Sequence, residues 1–287
     1  MPVSVITGAT GGIGRWIASG LAAAGHRVVI IARDPQRGHA AIDWLTTHVP
    51  TAQAELLTAD LSSLLATRQV AARITERFPA IDVLVNNAGA FRTRRQQTAE
   101  GHEHVIAVNH LAPFVLTRAL IPALRAAADK APITAPNTPT GARIVNVGSS
   151  TSDHARIDPT DLEGNRRWGM VHAYSQSKLA LTMATIGWAR RLQDTGVTAN
   201  VVHPGMVATG LVRARGPIGL AWRAMAPFLL TEQQGADTPL HVALSPDFRA
   251  ITGAYVKQRR VVPPNRLVQN PALMDRVWSA TETLAGP

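Results

Sequence analysis

Val3-Ser4-Val5-Ile6-Thr7-Gly8-Ala9-Thr10-Gly11-Gly12-Ile13-Gly14 reads as a buried strand that runs into a glycine-rich turn and then opens a helix. The apolar run over 3–6 suits a parallel strand covered on both faces, and Ile13, Ile17, Leu21 and Ala24 follow with helical spacing. Strand, glycines and helix come in the order a phosphate site needs. Gly8 permits a tight turn, Gly12 lets the backbone approach a pyrophosphate, and Gly14 lets helix pack on strand, so the helix N-terminus faces the anion. The spacing, G-x-x-x-G-x-G, departs from the G-x-G-x-x-G dinucleotide pattern. Alone, the stretch fits a packed turn without ligand as well as a cofactor clamp.

Outward from it, strand and helix alternate. Residues 27–32 form a second buried strand, and 35–49 a helix with Ala40, Ala41, Trp44 and Leu45 inward. A strand at 55–59, a helix at 64–78 and a strand at 81–85 continue the pattern. The repeat predicts an α/β fold of Rossmann type, a doubly wound, mainly parallel sheet of about seven strands with helices on both faces. A long helix at 101–128, bent at Pro113 and Pro122, leads through a proline- and threonine-rich loop, 129–141, to a fifth strand at 143–147. Helix 171–192, a sixth strand at 197–202 and a short seventh at 254–256 complete the sheet. Residues 206–234 sit beyond the sixth strand, at the edge where open α/β sheets bind ligands, and read as a substrate lid or as an ordinary packed helical pair. The tail, 261–287, with a last helix around 271–284, is expected to cover the sheet edge.

A chain of 287 residues can bury one large core, and no linker divides it, so 1–287 reads as a single domain. At 46% hydrophobic residues it is too apolar for disorder. The absence of cysteine excludes disulfides, thiolate metal sites and a cysteine nucleophile, and fits a reducing compartment. The first strand begins almost at once, leaving no room for a signal peptide, and no apolar run looks long enough to span a bilayer. A soluble, cytoplasmic protein is expected. The formal charge of +10 could suggest nucleic acid. Its densest clusters, Arg92-Thr93-Arg94-Arg95, Arg166-Arg167 and Lys257-Gln258-Arg259-Arg260, are short and lack interleaved aromatics, as solvated faces do, so no nucleic-acid partner is expected.

Tyr174-Ser175-Gln176-Ser177-Lys178 places a phenol and an ammonium four apart, on one face of a helix. A tyrosine with its usual pKa of about 10 exchanges protons poorly near neutrality, and a neighbouring cation lowers that value. Such a pair suits acid-base work on a carbonyl or alcohol, although a half-buried tyrosine beside a solvent-seeking lysine looks the same in sequence. Tyr255 has Arg259 at the same offset, but arginine cannot share protons. Ser149 closes the fifth strand, so it, Tyr174, Lys178 and the glycine turn all lie at C-terminal strand edges near a topological switch point.

In sum these residues resemble the short-chain dehydrogenase/reductases. The resemblance rests on Thr7 to Gly14, Asn86-Asn87-Ala88-Gly89, Asn109, Ser149, Tyr174 with Lys178, and Pro204-Gly205 followed by Thr209, and it runs nearly end to end. More narrowly the chain resembles retinol dehydrogenases, WW-domain oxidoreductases and their bacterial relatives, through Ala32-Arg33-Asp34, Val108-Asn109-His110-Leu111, the spacer with Asp161-Leu162, His203-Pro204-Gly205 and Thr252-Gly253-Ala254-Tyr255. The family implies that Tyr174 exchanges a proton with the substrate oxygen while the nicotinamide exchanges hydride. It implies that Lys178 holds the nicotinamide ribose and depresses the tyrosine pKa. Ser149 would hydrogen-bond the substrate oxygen and Asn109 would hold a water in a proton relay. Ser149, 25 residues before Tyr174, has the expected spacing, while Gly148 replaces a serine often found there.

The same resemblance outlines the cofactor site. Its residues would be Gly8, Thr10, Gly12, Ile13, Gly14 and Arg15 at the turn, Asp60 and Leu61 at the adenine, and Asn87, Ala88 and Gly89 at the ribose. Tyr174, Lys178, Pro204, Gly205, Val207 and Thr209 would complete it. Ala32-Arg33 stands where an acidic residue would bind a ribose diol, and Asp34 comes one residue later. Arg33 with Arg15 could pair with a 2′-phosphate, so NADP(H) is expected over NAD(H); otherwise Arg33 simply extends into solvent.

Other features carry less. Gly101-His102-Glu103-His104 alternates rather than sharing a helical face, so no metal is expected. The small face of Ala173, Ser177, Ala180 and Ala184 allows a homodimer or homotetramer seam, or close packing within one subunit. Trp222, Met225, Phe228 and Leu229 suggest an apolar small-molecule substrate, or core. The function expected is carbonyl–alcohol interconversion. The alternatives are a non-redox step such as epimerisation, dehydration or cyclisation, and a cofactor-binding regulator.

Overall fold

The computed structural model describes residues 1–130, 141–207 and 229–287. Its strands are β1 (Val3–Thr7), β2 (Arg27–Ala32), β3 (Gln53–Thr58), β4 (Val83–Asn86), β5 (Ala142–Val147), β6 (Val197–His203), β7 (Tyr255–Lys257) and β8 (Arg260–Val262). They form one sheet in the order β3-β2-β1-β4-β5-β6-β7-β8. β1 to β7 are parallel, and β8 pairs with β7 antiparallel across the two-residue turn Gln258-Arg259. Both turn residues have positive φ, the twist that a two-residue hairpin needs. The sheet thus has one strand more than the seven expected. Three residues, 260–262, are too few to show an alternating pattern.

The helices are α1 (Gly12–Ala23), α2 (Pro35–His48), α3 (Leu64–Arg77), α4 (His104–Lys130), α5 (Met170–Arg191), α6 (Glu232–Leu244) and α7 (Pro271–Ala285). One face of the sheet is covered by α1, α2 and α6 through Ile13, Ile17, Leu21, Leu45 and Val242. On the other, α3, α4, α5 and α7 bury Ile74, Phe114, Trp188 and Trp278. The parallel strands are therefore buried on both sides, which accounts for their unbroken apolar runs. The β-α alternation leaves β1 flanked by β2 and β4, so the chain reverses direction between β1 and β4 and opens a crevice at their C-terminal ends.

Helix α4 runs through both prolines. Its second turn, Ala107–Leu111, is π-helical, because Pro113 has no N–H to give the Asn109 carbonyl four residues back. This helix corrects one expectation. At 27 residues, with an 18-residue stretch of mean hydropathy 1.5, it is long and apolar enough to cross a membrane by composition, and it is a core helix of the sheet's second layer.

Three further expectations change. The last helix does not lie along the edge, where β8 sits; it packs on α5, with Trp278 against Gly187 and its ring among Phe114 and Trp188. Ser177, Ala180 and Ala184 are buried inside the chain, so close packing within one subunit explains the small face. Finally, the end of the expected lid belongs to α6, whose Gly235 lets Val207 and Ile13 approach and whose Leu240 fills the space over Gly20. Of residues 206–234, Trp222, Met225 and Phe228 lie outside the described residues. The segment's two ends meet: Leu230 N–H donates to the Met206 carbonyl at 2.8 Å, and Val207 bridges Leu230.

Candidate active site

The glycine turn is built by exclusion of side chains. Gly8 and Gly12 have φ of +69° and +62°, where only glycine is unstrained. A Cβ on Gly14 would stand 2.3 Å from the Gly8 carbonyl oxygen and 2.4 Å from Asn87 Nδ2. Asn87 explains this crowding. Its amide donates to the Thr7 and Gly8 carbonyls, each at 3.1 Å, while Thr7 Oγ1 accepts the N–H groups of Asn87 and Ala88 at 3.0 and 2.9 Å. The turn after β1 and the segment after β4 are thereby locked together across the crevice.

At the start of α1, Gly11 provides no side-chain cap, the first turn has no acidic residue, and a Cβ on Gly11 would meet nothing within 4 Å. The first N–H groups of α1 face open space beside Thr10. That arrangement fits a pyrophosphate. The side chain of Ile13 is buried against Val207 and Gly235, so its contribution there is backbone. Arg33 ends β2 as an exposed guanidinium, and Asp34 is occupied as the N-cap of α2, accepting from Gln36 and Arg37. Arg15 is drawn elsewhere than expected: it pairs with Glu232 at 3.0 Å and lies over the Trp44 ring. Asp60 accepts the Ser62 N–H at 2.9 Å, which leaves it and Leu61 partly exposed at the turn after β3.

Across the crevice, Lys178 is buried and its ammonium donates to the Val147 carbonyl at the end of β5, 2.8 Å away. Burial brings its pKa down to about 8. A Cβ on Gly89 would come within 3.8 Å of Lys178 Nζ and 3.6 Å of Asn109 Oδ1, so Gly89 keeps that corner open. Asn109 is fully buried, and both hydrogens of its side-chain amide are taken. Oδ1 accepts the Ala90 N–H at 2.6 Å, and Nδ2 donates to the Ala90 carbonyl and to Ser177 Oγ, each at 3.0 Å. The main-chain carbonyl of Asn109, which Pro113 leaves without its α-helical donor, is an acceptor a water could use.

The Tyr174 phenol lies beside the Ser149 hydroxyl, and Phe91 meets its ring edge-on with centroids 5.4 Å apart. Burial holds the phenol above its usual pKa, and the Ser149 bond offsets this only in part. The expected lowering by Lys178 is not present: the ammonium is committed to Val147 and desolvation dominates. Phe91 was missed in the sequence, although it stands two residues after Gly89.

Ser149 also accepts from Thr151, through its N–H at 3.3 Å and its hydroxyl at 3.1 Å. Tyr255 does not serve as a second acid-base group. It lies on β7, where an offset of four has no helical meaning, and its hydroxyl gives its one proton to Asp153 at 2.8 Å, with the Ser149 carbonyl sharing it at 3.3 Å. Burial and Asp153 push its pKa up. Pro204 and Gly205 follow β6, Gly205 in the left-handed region with Leu230 filling the space of its missing Cβ. Thr209 lies outside the described residues. Asn86, by contrast, points into the core, where it donates to Asn146 at 2.8 Å, and Asn146 to Thr185 at 2.7 Å.

The basic clusters are largely used within the chain, with Arg95 on Asn165, Arg166 on Asp158, Lys257 on Asp153 and Arg259 on Asp237. Among the described residues no group of His, Asp and Glu could hold a metal ion.

A doubly wound sheet with an anion-ready glycine turn opposite a half-buried tyrosine and a buried lysine defines a dinucleotide-dependent oxidoreductase. The chain belongs to the short-chain dehydrogenase family, whose model matches residues 2–217. Human retinol dehydrogenase 12 is 35% identical over 284 residues, covering 99% of this chain and 86% of that protein. A Streptomyces sp. (strain C5) protein assigned as a daunorubicin C-13 ketoreductase is 34% identical, with 98% and 92% covered. A Burkholderia cenocepacia short-chain dehydrogenase solved in complex with NADP shares 28% identity with a TM-score of 0.69, covering 89% of this chain and 95% of that one.

Proposed function

We propose that the protein is an NADP(H)-dependent oxidoreductase that interconverts a carbonyl and an alcohol on an apolar small molecule. The observation that carries this reading is the Tyr174 phenol set beside the Ser149 hydroxyl and one helical turn before the buried Lys178 ammonium, across the crevice from the glycine turn. Bound nicotinamide supplies or accepts the hydride. Ser149 and Tyr174 hold the substrate oxygen between two hydroxyls. In reduction Tyr174 gives its phenolic proton to that oxygen, and in oxidation it takes the alcohol proton. The phenol must ionise during this exchange, and its burial opposes that. Lys178 therefore matters most when the tyrosine is charged, since an ammonium in a dry site favours a nearby phenolate. The Asn109 carbonyl offers a route for the proton through water toward solvent.

The exposed Arg33 with Asp34 withheld as a cap supports a 2′-phosphate over a ribose diol, and several solved relatives carry NADP or NADPH. Arg15 would have to share Glu232 to take part. An apolar substrate is supported by the names of the retinol, polyprenol and daunorubicin relatives. The test is a panel of apolar ketones, aldehydes and alcohols followed at the NADPH absorbance band with each cofactor. Turnover with NADPH exceeding that with NADH is expected, and cofactor binding without net redox would favour the non-redox alternative. Arg33→Asp should reverse the cofactor preference; unchanged NADPH affinity would remove Arg33 from the site.

A further inference from the structure

A groove of about 910 Å³ is lined among the described residues by Asp153 to Arg156, in the segment that follows Ser149, by Lys257 and by residues 262–267. It stands at the sheet edge that carries the active site, since Lys257 on its wall is in register with His203 at the end of β6. One network joins the two places: the Tyr255 hydroxyl bonds both the Ser149 carbonyl and the Asp153 carboxylate on the groove wall. The wall itself is fastened. Asn265, buried, donates to the carbonyls of Ser152 and Ala155 at 2.8 and 2.9 Å, so the tail is clamped to the serine segment.

The charges of this groove are unbalanced. Asp153 is its one acidic lining residue among those described, and Lys257 neutralises it. Arg156 and Arg266, both exposed, have no carboxylate within ion-pair reach among the described residues. His154 adds an imidazole. Between the guanidiniums the surface is apolar, through Pro263, Pro264 and Leu267. Two unpaired guanidiniums over an apolar floor match a molecule with an apolar body and one anionic end.

We infer that this groove is a substrate subsite, with Arg156 and Arg266 selecting a carbonyl or alcohol substrate that bears a carboxylate remote from the reacting carbon. The inference rests on the oxidoreductase reading above and gives its substrate a charge. An oxygen held at Ser149 and Tyr174 leaves the rest of the molecule to run along the Ser149–Arg156 segment toward the two arginines.

The test uses a series of aryl ketones ending in a carboxylate at increasing chain length, each with its methyl ester, and the whole protein loaded with NADP+. Calorimetry should find at least one acid bound roughly five- to tenfold more tightly than its ester, the size expected of two exposed ion pairs. The preference should shrink as salt is raised. Arg156→Ala/Arg266→Ala should erase it while leaving ester affinity and turnover of neutral ketones unchanged. Equal affinity for acid and ester along the series, or no binding of either, would overturn the subsite. So would a double variant that weakens both alike. Acid preference in the NADP+ complex, with no NADPH oxidised when the same keto acids are supplied with NADPH, would keep the subsite and overturn the redox reading instead.

Discussion

Tyr174 is held as an unwilling acid: desolvation keeps its proton on, and the neighbouring Ser149 hydroxyl offsets this only in part. Tyr174→Phe keeps the ring against Phe91 and removes the exchangeable proton. Turnover should fall by about 10²- to 10⁴-fold, with NADPH affinity measured by fluorescence nearly unchanged. Retained turnover would mean that another group moves the proton. Lys178 makes a separate prediction through stability. Its pKa falls from 10.5 to about 8 on burial, so between those values the unfolded chain holds a proton that the folded chain does not. The folded state therefore gains stability as pH rises through that window, by up to roughly 3 kcal/mol, and Lys178→Met should lose this gain. Urea unfolding of both proteins at pH 7.5 and 10.5 measures it. At this scale the identities of the reacting groups were readable from spacing alone, because a helix fixes which side chains share a face. Their electrostatic state was not. Whether Lys178 faces Tyr174 or Val147, and whether Arg15 meets a phosphate or Glu232, depends on residues more than thirty positions away.

Among the elements, α7 does the most that its sequence conceals. Trp278 packs its ring on Gly187, edge-on to Phe114 and Trp188, with the Arg191 guanidinium 3.5 Å over it. Trp278→Ala should cost about 3–5 kcal/mol in chemical denaturation. A loss below about 1 kcal/mol would show that α5 and α4 close over the gap. Long apolar periodicities made the first six strands and most helices legible to within a few residues at either end. The elements that escaped were β8, too short to alternate, and α6, whose helical spacing begins inside a Gly- and Pro-rich stretch. The π turn of α4 was foreshadowed only by Pro113, since a proline announces a lost hydrogen bond without saying how the helix absorbs it.

For the molecule as a whole, acid is the weak direction. His110 is fully buried, donating from one ring nitrogen to Thr281 at 2.8 Å, and burial pushes its pKa down to about 3. His203, accepting the Ser150 N–H, is pushed down to about 4. From pH 6.5 downward the unfolded chain takes up protons that these rings refuse, so stability falls as pH drops, by about 2–3 kcal/mol per histidine at pH 4.5. Urea midpoints at pH 7 and 4.5 should fall less steeply for His110→Gln than for the wild type. An equal slope in both would place the acid lability elsewhere.

The bond between His110 and Thr281 joins residues 171 positions apart. Just beyond it, Arg68 and Arg118 grip the carbonyls that follow α7, at Pro287 and Gly286. A ribosome delivers Asn109 and its π turn well before the helix that packs behind them. Every named catalytic group is thus already out of the exit tunnel while the layer that steadies α4 is still unmade. Such long-range closure is slow, and the half-covered face of Phe114 and Trp188 is what a chaperone would meet in the interval. Activity then becomes a report on completion: a chain released before α7 would carry all four groups and lack the packing that holds them in place.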